Sequence, residues 1–202
     1  MKIICVGRNY ANHAKELKNQ IPSEPVLFMK PDTALLSPNK DFYLPNLNSA
    51  IHYECEMVVK ISKMGKHIEP QFAANYYHEF TLGLDLTARD LQERLKEQRL
   101  PWEKAKAFDN SAFTGPWLKA ADYDLENLEF SLLKNDDTVQ KGNTHDMLFK
   151  LPQLISHISE YFTLKVGDLI FTGTPAGVGP LRVGDNLDLK IMNESLAKLS
   201  VK

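Results

Sequence analysis

Cysteine is scarce in this 202-residue chain. Cys5 and Cys55 are the only two, and neither belongs to a CxxC pair. A disulfide framework is therefore excluded, and both thiols, set in apolar stretches, read as small buried hydrophobes of a reducing compartment. A basic surplus is missing too. Lys+Arg 24 against Asp+Glu 26 gives a net charge of -2, with nothing to spare for a phosphate backbone, which argues against nucleic-acid binding. Long apolar runs are also absent. The longest uncharged stretch, residues 169–181, has 13 residues and is broken by Thr, Gly and Pro, whereas a membrane span needs about 20 apolar residues. The opening Met1-Lys2-Ile3-Ile4-Cys5-Val6 is too short for a signal-peptide core. The expectation is a water-soluble, cytoplasmic protein. There is no internal repeat and no low-complexity tract.

What is present is ordinary globular usage, with 43% hydrophobic and 25% charged residues. The length points to one large domain or two very small ones, able to fold without a disulfide or metal staple. Residues 2–6 form a β-type run closed by Gly7, and Asn9 is placed to cap a helix over 10–17. Residues 20–40 carry four prolines and read as extended loop with short strands. Residues 51–62 read as one strand, 69–79 as a helix, and 80–85 as a further strand. A helix over 87–98, a turn-rich connection over 109–117, a hairpin around Asn135-Asp136 and a helix over 151–161 follow. The later glycines punctuate short strands up to the C-terminus. The pattern predicts a β-rich α+β domain and disfavours Rossmann and TIM architectures.

Several groupings carry chemistry. Glu54 and Glu56 flank Cys55, and strand alternation puts both carboxylates on one face, with Cα atoms about 6.5–7 Å apart. Such a pair is either a solvated strand face or a site for a hard cation such as Mg²⁺, Mn²⁺ or Ca²⁺. Asp85 ends an apolar strand; it is either a cap or, if that strand runs beside 51–62, a third carboxylate of the same site. His13 and Glu16 share a helix face, as an inert surface pair or as an oriented base. Lys106, set among apolar residues, is suited to stabilise a developing oxyanion or a substrate carboxylate. The glycine-rich turn 172–179 lacks the lysine of a Walker loop and the spacing of a dinucleotide site.

The order of these pieces along the chain carries a resemblance. The motifs are Cys5-Val6-Gly7-Arg8-Asn9-Tyr10-Ala11-Asn12-His13, Pro25-Val26-Leu27-Phe28-Met29-Lys30-Pro31, His52-Tyr53-Glu54-Cys55-Glu56, Asp85-Leu86-Thr87-Ala88-Arg89-Asp90, Lys106-Ala107-Phe108-Asp109 and Phe171-Thr172-Gly173-Thr174-Pro175. In this order the chain resembles the fumarylacetoacetate hydrolase superfamily, and within it the short branch of acylpyruvases and oxaloacetate decarboxylases. The resemblance implies a mixed β-roll or sandwich with flanking helices, a single catalytic domain over 1–202, and a homodimer. It implies Mg²⁺ or Mn²⁺ (or Ca²⁺) held by Glu54, Glu56 and Asp85. It further implies a water-activating pair, His13 and Glu16, on a lid helix, with Lys106 catalytic and Arg89, Gln92, Thr174 and Lys30 near the substrate. The implied activity is hydrolysis of a C–C bond in acylpyruvate-type 2,4-dioxo acids, such as fumarylpyruvate or acetylpyruvate, through a pyruvate enolate. Oxaloacetate decarboxylation or isomerisation of a 2-oxo diacid on the same site is the alternative. A non-catalytic member that binds a metal or a dicarboxylate is the rival from another class.

Overall fold

The computed structural model describes residues 1–16 and 20–202. The first strand, β1 (Ile3–Gly7), is apolar without alternation because it is buried on both faces. Ile3 and Cys5 pack with Val58, Leu169 and Phe171, while Ile4 and Val6 join the main core. A short helix, α1 (Ala11–Glu16), follows. The part of the expected 10–17 helix beyond Glu16 lies outside the described residues. Asn9 does not cap it. Its carboxamide donates to the carbonyls of Phe149 and Thr172 and accepts from the Phe149 amide, tying the end of β1 to distant loops. The proline-rich stretch contributes one strand, β2 (Val26–Lys30), antiparallel to β1.

The expected single strand over 51–62 is two, β3 (Ile51–Tyr53) and β4 (Cys55–Ile61), parted at Glu54. The expected helix over 69–79 is a 3₁₀ stretch, Pro70–Tyr76, that gives way early to β5 (Tyr77–Asp85). Pairing of β5 along β4, with Ile61 opposite Tyr77 and Lys60 opposite Glu79, claims the last residues of the expected helix. After Asp85 come β6 (Thr87–Ala88) and helix α2 (Arg89–Glu97), then α3 (Glu103–Lys106). The connection over 109–117 holds β7 (Ala112–Thr114), and β8 (Leu118–Lys119) follows it.

Strands β9 (Glu129–Lys134) and β10 (Asp137–Asn143) form the expected hairpin. Asn135 and Asp136 have φ of 52° and 70°, the two left-handed residues that a two-residue I′-type turn requires. Helix α4 (Leu151–Tyr161) buries Leu151, Leu154, Ile155 and Ile158, each contributing about 1.5–3 kcal/mol of apolar burial. Tyr161, the last residue of the helix, is exposed. The chain closes with β11 (Leu169–Phe171), β12 (Gly179–Pro180), β13 (Asn186–Ile191) and β14 (Glu194–Ser200).

These strands make a seven-stranded sheet with the path β2-β1-β11-β4-β5-β7 and β8 beside β5. A four-stranded sheet, β10-β9-β13-β14, and a three-stranded one, β12-β3-β6, complete the set. The result is a β-rich α+β fold of the mixed roll or sandwich kind. One apolar cluster joins Leu82 and Leu84 of the large sheet to Leu132 and Leu189 of the second and to Ile155 of α4. Among the described residues, no helix is long and apolar enough to cross a membrane.

The feature that matters for chemistry is a seam. Three segments leave the large sheet and enter the three-stranded one side by side: β4/β3 at Glu54, β5/β6 just after Asp85, and β11/β12 through the glycine turn after Phe171. The Asp85 amide donates to the Glu54 carbonyl at 2.9 Å, fastening two of these crossings together. At such a joint, side chains are released from strict alternation and converge.

Candidate active site

Glu54, Glu56 and Asp85 converge at the seam, each buried, with candidate ligand oxygens all within 4.8 Å of one another. Gly83, opposite Glu56, permits the close sheet packing beneath them: a Cβ there would lie 2.5 Å from the Phe113 carbonyl oxygen. The three acids are held differently. Lys106 Nζ donates to Glu54 Oε2 at 2.9 Å, to Asp85 Oδ2 at 2.7 Å and to Thr87 Oγ1 at 2.6 Å. Arg89 Nη2 pairs closely with Glu54 Oε1, and Arg89 Nη1 donates to Gln92 Oε1 at 2.7 Å. Lys30 Nζ lies 2.7 Å from Asp85 Oδ1, in ion contact but off the line of a hydrogen bond. Among the described residues Glu56 accepts only the Gly173 amide, at 2.8 Å, and no cation pairs with it.

The electrostatics follow from these partners. Burial works to raise the Glu54 carboxyl, but Lys106 and then Arg89 outweigh it and hold Glu54 well below the usual carboxylate range. Burial also works against the charge of Lys106; Asp85 and Glu54 outweigh it, so the ammonium is favoured beyond its ordinary value. For Glu56 the compensation from the Gly173 amide and Lys106 is outweighed. Burial pushes it well above the ordinary range, and the nearby charges of Asp85 and Glu54 push the same way. A hard divalent cation fits this donor set: the ligands are oxygen only, and a cation beside Glu56 would offset the repulsion among three buried carboxylates.

His13 and Thr174 line the same cavity as the three acids, with Arg89, Gln92 and Lys106. His13 Nδ1 lies 3.2 Å from Glu16 Oε2, and Glu16 in turn accepts the Gly177 amide at 3.1 Å, so α1 is tied to the glycine turn. Thr174 Oγ1 donates to the Cys55 carbonyl at 2.8 Å. Lys30 is elsewhere. It sits behind Asp85, fully buried, donating to the carbonyls of Lys106, Leu86 and Ser111, and it does not line the cavity. It supports the wall where a substrate contact was expected.

Some contributors escaped the sequence reading. Thr87 donates to Glu54 Oε1 at 3.0 Å. Gln140 bridges the Cys55 amide, Thr174 Oγ1 and the Pro175 carbonyl. It is buried beside a bulge between Thr138 and Gln140, and in sequence it is one polar residue of a polar strand. Arg8, Phe28, Lys96 and Trp102 complete the cavity wall. Arg8 has a φ of 60°, a left-handed backbone that costs a non-glycine residue about 1–2 kcal/mol. The three carboxamide bonds of the adjacent Asn9 hold that conformation in place.

The chain as a whole has close relatives. The chain is 42% identical over 197 residues to oxaloacetate tautomerase YcgM of Escherichia coli, covering 96% of this chain and 90% of that one. It is 45% identical over 185 residues to the mitochondrial oxaloacetate decarboxylase of Dictyostelium discoideum, covering 91% and 85%. Its fold superposes with a TM-score of 0.91, at 35% identity, on the fumarylpyruvate hydrolase of Pseudomonas aeruginosa in complex with Mn²⁺ and pyruvate, covering 100% and 88%. The family described as fumarylacetoacetate (FAA) hydrolase C-terminal matches residues 2–201, and on these grounds the chain belongs to the fumarylacetoacetate hydrolase family.

Proposed function

We propose that this protein is an enzyme of 2-oxo diacids, interconverting the keto and enol forms of an oxaloacetate-type substrate. The observation that carries the reading is the cavity at the seam, where three buried carboxylates meet Arg89 and Lys106. The relatives named for oxaloacetate tautomerisation and decarboxylation, aligned over nearly the whole chain, support it. Glu54, Glu56 and Asp85 would hold a divalent cation. Such an ion supplies Lewis acidity toward the carboxylate and 2-oxo oxygens of the substrate.

The chain's own residues do the rest. Arg89 and Gln92, already bonded to each other, bind and orient the substrate carboxylate. Lys106 has its three N–H groups committed to Glu54, Asp85 and Thr87, so it contributes fixed positive charge and does not carry the proton. That task falls to His13, whose Nδ1 faces Glu16 and whose Nε2 is left for substrate. In the keto-to-enol direction the C3–H bond breaks and its proton moves to His13 Nε2. The electron pair becomes the C2–C3 double bond, and the oxygen on C2 takes up the charge and then a proton from water, which recovers one from His13 and returns the imidazole to its starting form.

A second reading rests on the same pair. His13, oriented by Glu16, is equally placed to deprotonate water for hydrolysis of an acylpyruvate, the chemistry named for the Pseudomonas relative. Parallel assays on enolic oxaloacetate, oxaloacetate decarboxylation and fumarylpyruvate or acetylpyruvate cleavage separate the readings. Tautomerisation should be the fastest, and His13→Gln should slow it by about 100-fold or more, the range of general acid–base catalysis. Faster cleavage of the acylpyruvate than interconversion of oxaloacetate would favour the second reading.

A further inference from the structure

Four cationic side chains line the cavity: Arg8, Arg89, Lys96 and Lys106. Three of them already face a carboxylate. Arg89 pairs with Glu54, Lys106 with Glu54 and Asp85, and Lys96 with Glu93 at 3.1 Å. Arg8 does not. Among the described residues no carboxylate lies within ion-pair distance of it, and its guanidinium rests 5.8 Å from the centre of the Trp102 ring. Trp102 itself packs edge-on against Phe28, at 6.1 Å between centroids. An arginine held against an aromatic wall is partly immobilised and keeps its donor edge for a planar anion. The left-handed backbone at Arg8, pinned by Asn9, fixes where that side chain starts.

We infer that Arg8 is the specificity residue for the far carboxylate of the substrate: it makes the cavity select 2-oxo diacids over 2-oxo monoacids. The inference rests on the reading of this cavity as a 2-oxo acid site and deepens it by naming the group that reads the second charge. A guanidinium that meets a carboxylate forms paired, charge-assisted hydrogen bonds. A monoacid that presents a methyl group instead leaves those donors desolvated and unmatched.

The test is calorimetric binding to Mn²⁺-loaded protein of two acids matched in length, 2-oxoglutarate and 2-oxopentanoate, which differ in a terminal carboxylate against a methyl. Wild type should prefer the diacid. Arg8→Asn, chosen because asparagine tolerates the left-handed backbone, should lower the diacid-to-monoacid affinity ratio fivefold or more. Arg8→Lys, which keeps the charge but not the fork, should fall between the two. Thermal melting of both variants reports whether the fold is intact. A wild type without preference, or a ratio that falls less than fivefold in folded Arg8→Asn, overturns the assignment of Arg8. Wild-type protein that binds neither acid overturns the reading of the cavity, and this inference with it. Wild type that selects the diacid through Arg8 but does not turn over oxaloacetate leaves the inference standing and overturns the proposed reaction alone.

Discussion

Lys30 shows most plainly how a residue's environment decides its role. Its ammonium is enclosed by carbonyl oxygens, the Ser111 hydroxyl and Asp85, with no route to the cavity. Removing it takes from buried Asp85 one of its two ammonium partners, the other being Lys106, and leaves the carbonyls of Lys106, Leu86 and Ser111 without this donor; breaking a buried pair costs about 3–5 kcal/mol. Lys30→Met should therefore lower the melting temperature by about 10 °C, since about 1 kcal/mol moves a protein of this size by about 2–4 °C. A variant of unchanged stability with a raised KM would instead make Lys30 a substrate contact. The sequence showed a lysine at the end of an apolar run; which carbonyls enclose it depends on loops about 60 to 80 residues away. The His13–Glu16 pair was legible because it is local, three residues apart on one helix. Gln140 was not, because its partners Cys55 and Thr174 belong to another strand and to the glycine turn.

At the scale of elements, the glycine turn between β11 and β12 is the third crossing of the seam and the one with the least freedom. Gly173 has a φ of 101°, a region open essentially to glycine, and a Cβ there would meet the Asn9 Cβ at 2.7 Å. Its amide is also, among the described residues, the single hydrogen-bond donor to Glu56. Gly173→Ala should cost about 2 kcal/mol or more by denaturant titration, with a loss of activity exceeding the loss of folded protein. An equal loss of both would reduce the turn to a structural role. The hairpin at Asn135-Asp136 and helix α4 were readable because turn chemistry and helical spacing are encoded within a dozen residues. The split between β3 and β4 was not. Residues 51–62 alternate like one strand, and the change of sheet at Glu54 arises only when β5 and β11 on one side, and β6 and β12 on the other, claim the two halves.

For the whole molecule, closure depends on a contact between the N-terminal strand and β11. β1 runs parallel to β11, and Asp168 secures the pairing by accepting from the Lys2 amide at 2.8 Å, from Lys2 Nζ at 2.5 Å and from the Lys165 amide at 2.8 Å. Burial alone would raise the Asp168 carboxyl; these donors outweigh it and hold it below its ordinary value of 3.8. The sign is that of a depressed acid. Its contribution is fully present above the unfolded value and is lost as the pH falls through the folded one. Wild type should thus lose stability more steeply than Asp168→Asn below about pH 4, with the gap between their melting temperatures widest near neutrality. Parallel curves across the acid range would show that Asp168 contributes nothing through its charge.

The family, the fold class and the carboxylate cluster could be anticipated from the order of short motifs. The seam that brings these motifs together emerges only from the full sheet topology. The proposal that this seam carries cation-dependent enolisation is tested most directly by the rate at which freshly dissolved enolic oxaloacetate relaxes to its keto form. The rate is measured with Mn²⁺ or Mg²⁺, with EDTA, and with folded Glu56→Gln. The expected result is acceleration by the wild type with cation that falls about 100-fold or more on chelation and in the variant, in line with the loss of an electrostatic contribution of this kind. Acceleration that survives EDTA, or a Glu56→Gln protein as active as the wild type, would contradict it.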